Sequence, residues 1–329
     1  MPITPVQALK GRIVRCILFD LGSTLWSRGD IGRWEQLEAT SNQRAVSLLR
    51  EHAASQLPVN LDDLTLGSRL REAFNQNVRT SIRRNPEIEP DGPSSVIETL
   101  FRWGIKGIDI TLGNAIFEAL RVRIPESRPL FEDTLSTLAV LQQRGFLLGV
   151  VTNRIWGGQP FQEDLQTLGL HNYFDMRKIA VSADLGVRKP NPAIFFHALH
   201  ALNLAPEEAV MVGDSLSADI IGAQRLGIFA IWKPKSKVRE RIKAHLLTTR
   251  ASTDVHSVQQ TRLEPEIVPE EFSADGPPPR MHVIDDDYML TKVRRSDYVG
   301  KYLSGEIVPD LIIEHLFELL NLLIKVGMQ

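Results

Sequence analysis

The chain has a single cysteine, Cys16, among 329 residues. That excludes an internal disulfide framework, and the residue's place inside an apolar run reads as a small core side chain and not as a reactive thiol. Net charge is also lacking: 38 Lys+Arg against 40 Asp+Glu leave a formal charge of -2. Nothing global therefore draws the chain to nucleic acid or to an anionic membrane. No apolar run approaches the ~18 residues of a transmembrane helix. The stretch MPITPVQALKGR at the amino terminus has no apolar core of signal-peptide length. These absences predict a soluble protein of the reducing cytoplasm. No internal repeat is evident, and neither common type of glycine-rich nucleotide loop is present. What is there, 43% hydrophobic and 24% charged residues, is the composition of an ordinary globular protein long enough for an α/β core and one smaller domain.

The stretch IVRCILFDLGSTL, Ile13 to Leu25, organises the rest. Its apolar residues, broken only by Arg15, predict a strand buried on both faces of a parallel sheet. Asp20 stands at the carboxyl end of that strand, where ligands bind in open α/β sheets. Gly22, Ser23 and Thr24 let the chain turn sharply after it.

From Ser27 to about Arg128 the pattern changes to amphipathic helix. Ile31, Trp34, Leu37, Val46, Leu48 and Leu49 recur at helical spacing, as do Leu61, Leu64, Leu70 and Phe74. The DGP at Asp91 to Pro93 punctuates the run before Ser94 and Ser95 begin another helix, and a fourth segment holds Leu112, Ile116, Phe117 and Leu120. Arg79, Arg83 and Arg84 read as a solvated helix face rather than as an anion site. After Pro129, helices alternate with apolar strands at Phe146 to Val151, Ile179 to Val181, Ala209 to Val212 and Ile228 to Trp232. Leu135, Leu138 and Leu141 form the apolar face of the first of those helices. Such alternation predicts a doubly wound parallel sheet with right-handed crossovers. Ser236 to Thr249 reads as a charged helix, and Ala251 to Pro279, rich in Ser, Thr, Glu and Pro, as a segment that buries too little to order itself. Met281 to Glu306 has no clear pattern. Pro309 to Ile324 predicts a last strand and an amphipathic helix returning to the core.

The strand ends carry the chemistry. Asp20 follows the first core strand, Thr152 and Asn153 the second, Lys189 lies beyond the third, and GDSLSAD with Asp214 and Asp219 ends the fourth. In a parallel sheet these ends converge on one edge. Asp20 and Asp214 side by side would repel unless a cation lay between them, and Mg²⁺ held by carboxylates and substrate phosphate oxygens would meet that need. Lys189 would neutralise phosphate charge and Thr152 would hydrogen-bond it.

With those motifs in order, the sequence resembles the haloacid dehalogenase-like hydrolase superfamily, most closely its branch with a helical cap after the first motif. FDLGSTL at Phe19 to Leu25, VVTNR at Val150 to Arg154, GVRKPNPAIF at Gly186 to Phe195 and VGDSLSAD at Val212 to Asp219 carry the resemblance. It implies a core of residues 1–26, 129–232 and 309–329, a helical cap of 27–128, and an added, partly disordered region of 233–308 with the potential to form a protein-partner surface. It further implies that Asp20 attacks phosphorus to give an aspartyl-phosphate on a small phosphorylated metabolite, and that Thr152, Asn153, Ser23 and Lys189 bind substrate. Lys189 also counts as catalytic. Mg²⁺ would be held by Asp20, Asp214, Asp219 and the main-chain carbonyl of Gly22.

One departure stands out. Phosphatases of this family carry a second Asp two residues after the nucleophile as general acid and base, and here that position is Gly22. The resemblance then implies a slow phosphatase, or one restricted to good leaving groups. The alternatives are an inactive binding or assembly protein, and carbon–halogen or carbon–phosphorus hydrolysis.

Overall fold

The computed structural model describes residues 6–7, 9, 11–27, 29–123, 128–254 and 297–323. Two short strands, β1 (Val6–Gln7) and β2 (Ile13–Val14), pair antiparallel. Six more form one parallel sheet: β3 (Cys16–Phe19), β4 (Leu147–Thr152), β5 (Ile179–Val181), β6 (Ala209–Gly213), β7 (Phe229–Trp232) and β8 (Leu311–Ile312). Their order across the sheet is β5-β4-β3-β6-β7-β8. Chain order therefore reverses between β3 and β6, the crevice at which a doubly wound sheet binds its ligands.

The predicted strand from Ile13 to Phe19 is in fact two. Arg15 keeps its guanidinium at the surface, 2.8 Å from Glu208. Ile13 pairs with Gln7 and is 53% exposed, so the sheet proper starts at Cys16, between Leu147 and Ala209. From there alternation decides the layers. Ile17 and Phe19 join one buried cluster with Val150, Val212, Ile231 and the helix Thr134–Gln143. Cys16 and Leu18 join the other with Met211, Trp232 and the helix Pro192–Leu202. With both faces covered, burial pushes the Cys16 thiol far up, as befits a core side chain. In the helix Thr134–Gln143, Leu138 and Leu141 are buried but Leu135 is 38% exposed, so the expected apolar face is narrower.

Four helices, α1 (Ile31–Ala53), α2 (Asp63–Arg84), α3 (Gly92–Arg102) and α4 (Ile110–Ala119), carry a third apolar cluster around Leu49, Phe74, Leu100 and Ile116. Each is capped by an aspartate, Asp30, Asp62, Asp91 or Asp109, whose side chain accepts from the main-chain N–H three residues on. α3 thus begins with the DGP itself, with Asp91 as cap and Pro93 in the first turn, and not at Ser94. The solvated face expected of the α2 arginines fails at Arg79. It is buried and bonded to the Asn75 carbonyl and to Glu72, while Arg83 and Arg84 are exposed.

The helical module touches the sheet domain beside Lys189. Glu89 N donates to Gly186 O at 3.0 Å and Arg188 N to Glu87 O at 2.9 Å, an antiparallel bridge centred on Ile88 and Val187. Under it, Arg188 Nη1 reaches both carboxylate oxygens of Glu89 at 2.7 and 2.6 Å, with both side chains almost fully buried.

The charged helix runs Ser236–Asp254, further than the sequence suggests, so residues 251–254 of the segment expected to be unstructured are helical. The remainder of that segment lies outside the described residues. Part of the stretch without a pattern is a helix, Tyr298–Leu303, whose Tyr302 packs edge-on against Trp232 at 4.8 Å. Where the sequence predicts a last strand and an amphipathic helix, the structure has a two-residue strand, Leu311–Ile312, and only short helical turns, Leu316–Glu318 and Leu319–Leu322.

Candidate active site

At the end of β3 the Asp20 N–H still bonds to the Val212 carbonyl at 2.9 Å, so the sheet itself aims this carboxylate. The chain then turns, with Thr24 and Leu25 N–H groups bonding back to Leu21 O and with Ser23 at φ 59° in the left-handed region. Thr24 Oγ1 lies 3.5 Å from Asp20 Oδ2.

Lys189 fills the centre. Its three N–H donors meet Asp20 Oδ1 at 2.7 Å, Asp219 Oδ1 at 2.6 Å and Val151 O at 2.6 Å. Burial alone would depress this ammonium. The carboxylates of Asp20 and then Asp219 outweigh it and hold the group above the ordinary lysine range. Asn153 fixes the lysine from both sides, accepting from Lys189 N at 2.8 Å and donating to Lys189 O at 3.1 Å. Its amide is therefore a positioning group at least as much as the substrate donor expected from the sequence.

The carboxylates are set by β6 and the turn after it. Residues Leu216–Ile220 form a π-helical turn, in which Ser215 O accepts from both Asp219 N at 2.9 Å and Ile220 N at 3.2 Å. Asp219 Oδ2 accepts from Ser215 N at 2.9 Å. The glycine of VGDSLSAD is required here, since a Cβ on Gly213 would overlap the Asp219 carboxylate. Asp214 meets Lys235 Nζ at 3.1 Å, and its carbonyl accepts from Trp232 Nε1 at 2.8 Å. One oxygen each of Asp20, Asp214 and Asp219 lie within 4.8 Å of one another, all three residues buried. An all-oxygen set of three carboxylates suits a hard divalent cation, so these side chains fit Mg²⁺. Part of the counter-charge expected between Asp20 and Asp214 is supplied by the protein's own Lys189 and Lys235.

A cavity opens over this edge and is closed by the helical module. Asp20, Gly22, Thr152, Asn153, Lys189 and Asp219 form its floor. Its walls include Phe74 of α2, read from the sequence only as part of an apolar face, and residues that the sequence reading gave no role, among them Glu38 of α1, Arg71 of α2 and Arg128. Arg71 donates to Asn42 Oδ1 at 2.5 Å and to Ser41 Oγ and Leu120 O at 2.6 Å. Burial lowers it to about 10, against the pull of Glu38. Arg128 lies over the Trp34 ring at 5.0 Å. The signal that could have found this wall is in α1, where Trp34 and Glu38 lie four residues apart and share one face. Ser23 is half-buried and contributes the turn, with its carbonyl 3.5 Å from Lys233 Nζ, while the cavity wall at this point is Gly22.

Known proteins match this part of the chain. The family profile described as haloacid dehalogenase-like hydrolase matches residues 114–233. A glyceraldehyde 3-phosphate phosphatase of Methanopyrus kandleri is 40% identical over 110 residues, 33% of this chain and 46% of that protein. A phosphoserine phosphatase of Thermus thermophilus is 38% identical over 104 residues, 32% of this chain and 40% of that one. The chain thus spans about half, or less, of the length of these relatives. Among solved structures, a HAD phosphatase from Thermococcus onnurineus aligns with a TM-score of 0.45 at 24% identity, covering 68% of this chain and 87% of its own. The profile match takes in the motifs that supply Thr152, Lys189, Asp214 and Asp219, and the sheet puts Asp20 of the remaining motif between them. On that evidence residues 114–233 are similar to the haloacid dehalogenase-like hydrolases.

Proposed function

We propose that the protein is a Mg²⁺-dependent hydrolase that moves the phosphoryl group of a small phosphorylated substrate to Asp20 and then to water. The observation that carries this reading is the convergence of Asp20, a buried ammonium 2.7 Å away and two further carboxylates at the switch point of the sheet. Relatives named as phosphatases of small phosphate esters favour this class over carbon–halogen or carbon–phosphorus cleavage.

Bound by Asp20, Asp214, Asp219 and the Gly22 carbonyl, Mg²⁺ would offset the charge of the phosphoryl oxygens. A carboxylate oxygen of Asp20 attacks phosphorus, the bond to the leaving oxygen breaks, and an aspartyl-phosphate forms. Lys189 and Thr152 stabilise the charge on the transferring group. Water then attacks phosphorus and restores the Asp20 carboxylate. The helices of residues 27–128 act as a cap that excludes bulk water, on a core of 1–26, 129–232 and 309–329. Residues 233–308 are an addition open to a protein partner, and the cytoplasm is the setting this reading assigns. Among the described residues no helix is long and apolar enough to cross a membrane.

Gly22 itself offers no proton, so donors whose leaving groups depart as stable anions are the direct test of transfer to Asp20. That same glycine favours a second reading, a binding protein that keeps the site without turnover. Incubation with acetyl phosphate, with and without Mg²⁺, followed by peptide mass spectrometry separates the two. Mg²⁺-dependent label on Asp20, absent from Asp20→Asn, supports the hydrolase. An unlabelled Asp20 with every activated donor leaves the binding protein.

A further inference from the structure

We propose that Glu38, from the helical module, is the general acid and base of the site. The inference rests on the phosphoryl-transfer reading. Among the described residues lining the cavity, three are carboxylic acids: Asp20, Asp219 and Glu38. The first two are already paired with the Lys189 ammonium at 2.7 and 2.6 Å. Asp20 is, besides, the nucleophile. Glu38 lines the same cavity from α1, and among the described residues its partners are Trp34 and Arg71, not Lys189.

Its setting suits proton transfer. Glu38 Oε2 accepts from Trp34 Nε1 at 3.2 Å, with Arg71 Nε at 4.0 Å, so one oxygen is held in place. Oε1 takes no hydrogen bond from the described residues. The side chain is 27% exposed, enough to exchange a proton with solvent while it lines the cavity. Trp34 is itself fixed from its face by Arg128.

The steps balance. As Asp20 bonds to phosphorus and the bond to the leaving oxygen breaks, the Glu38 carboxyl gives its proton to that oxygen and becomes a carboxylate. In the second step this carboxylate takes a proton from the attacking water, the bond from phosphorus to Asp20 breaks, and Glu38 ends protonated as it began.

The second step can be tested without knowing the substrate. Wild type and Glu38→Gln are labelled at Asp20 with acetyl phosphate in Mg²⁺, the donor is removed, and loss of label is followed against pH. Glutamine keeps an acceptor for Trp34. Acetate leaves without a proton, so both proteins should take label. Loss of label from Glu38→Gln should then be slower by ~10²- to 10⁴-fold, the usual worth of general acid–base catalysis, and its dependence on pH should differ from that of the wild type. Glu38→Ala should be rescued by added formate in proportion to its concentration. Equal rates and superimposable profiles, or no rescue, would overturn the role of Glu38 and leave phosphoryl transfer standing. Failure of both proteins to take label at Asp20 would overturn phosphoryl transfer, and the role of Glu38 with it.

Discussion

Replacing Glu89 by glutamine removes the carboxylate charge facing Arg188 while changing the volume of the site little. In the native protein the two side chains are each 1% exposed, and Arg188 Nη1 reaches both Glu89 oxygens. Arg188 Nε and Nη2 make no hydrogen bond among the described residues, so the pair depends on that one contact. Burial raises the Glu89 carboxyl and Arg188 opposes the rise. A guanidinium left in this place without its partner should cost about 3 to 5 kcal/mol, a large share of the roughly 5 to 15 kcal/mol that holds a native protein together. With a urea m-value of about 3 kcal/mol/M, the midpoint should fall by about 1 to 1.7 M. The double variant Glu89→Gln, Arg188→Met removes both charges and should recover most of the loss, because a buried pair is weakly stabilising against apolar replacements. Urea titrations followed by tryptophan fluorescence measure all three proteins. A single variant costing under about 1 kcal/mol, or a double variant less stable than the single, would refute the argument that an isolated buried charge dominates.

Asp214→Asn should weaken Mg²⁺ binding in calorimetry and lower Asp20 labelling by acetyl phosphate together, since it removes one of three clustered carboxylates. Gly213→Ala should cost about 1 to 3 kcal/mol by overpacking and reduce Asp20 labelling, because the new methyl group overlaps Asp219. Lys233 is depressed to about 8 by burial, with Asp133 and Asp214 opposing. The folded protein therefore binds fewer protons than the unfolded chain between about pH 8 and the ordinary lysine value of 10.5, and stability should rise with pH across that window. In EDTA, Lys233→Met should flatten this part of the profile of urea midpoints. An unchanged slope would mean that the amine is not desolvated.

Asp20, Thr152 and Asp214 were legible in the sequence because each closes or follows a short apolar run, and Lys189 and Asp219 because they lie a few residues beyond one; a parallel sheet brings such ends together whatever the details between them. The splitting of the first strand was not legible. Arg15 looks like a tolerated interruption until Glu208, far away in the chain, is seen to hold it at the surface. The cavity wall was hidden for a related reason. Glu38 and Arg71 come from helices whose periodicity reports only that one face is buried, and not what that face is buried against, and Arg128 lies in a connection with no periodicity at all. Arg79 was misread because a buried arginine bonded to its own helix has the same spacing as a solvated one.

The π-helical turn at Leu216–Ile220 makes the site sensitive to the length of the chain as well as to its composition. A turn of this kind accommodates one residue more than the α-helical path, and it is this extra residue that sends the Asp219 carboxylate back toward Ser215 N and Lys189. Deleting Ala218 would let the segment relax into an ordinary helix, in which one residue is about 100° of rotation. The next side chains would then face a different direction from the same anchor on β6. Substitutions that keep the count of residues between Gly213 and Ile221 can be absorbed one side chain at a time, whereas a single-residue deletion would turn the carboxylate away from its lysine and dismantle the constellation at a stroke.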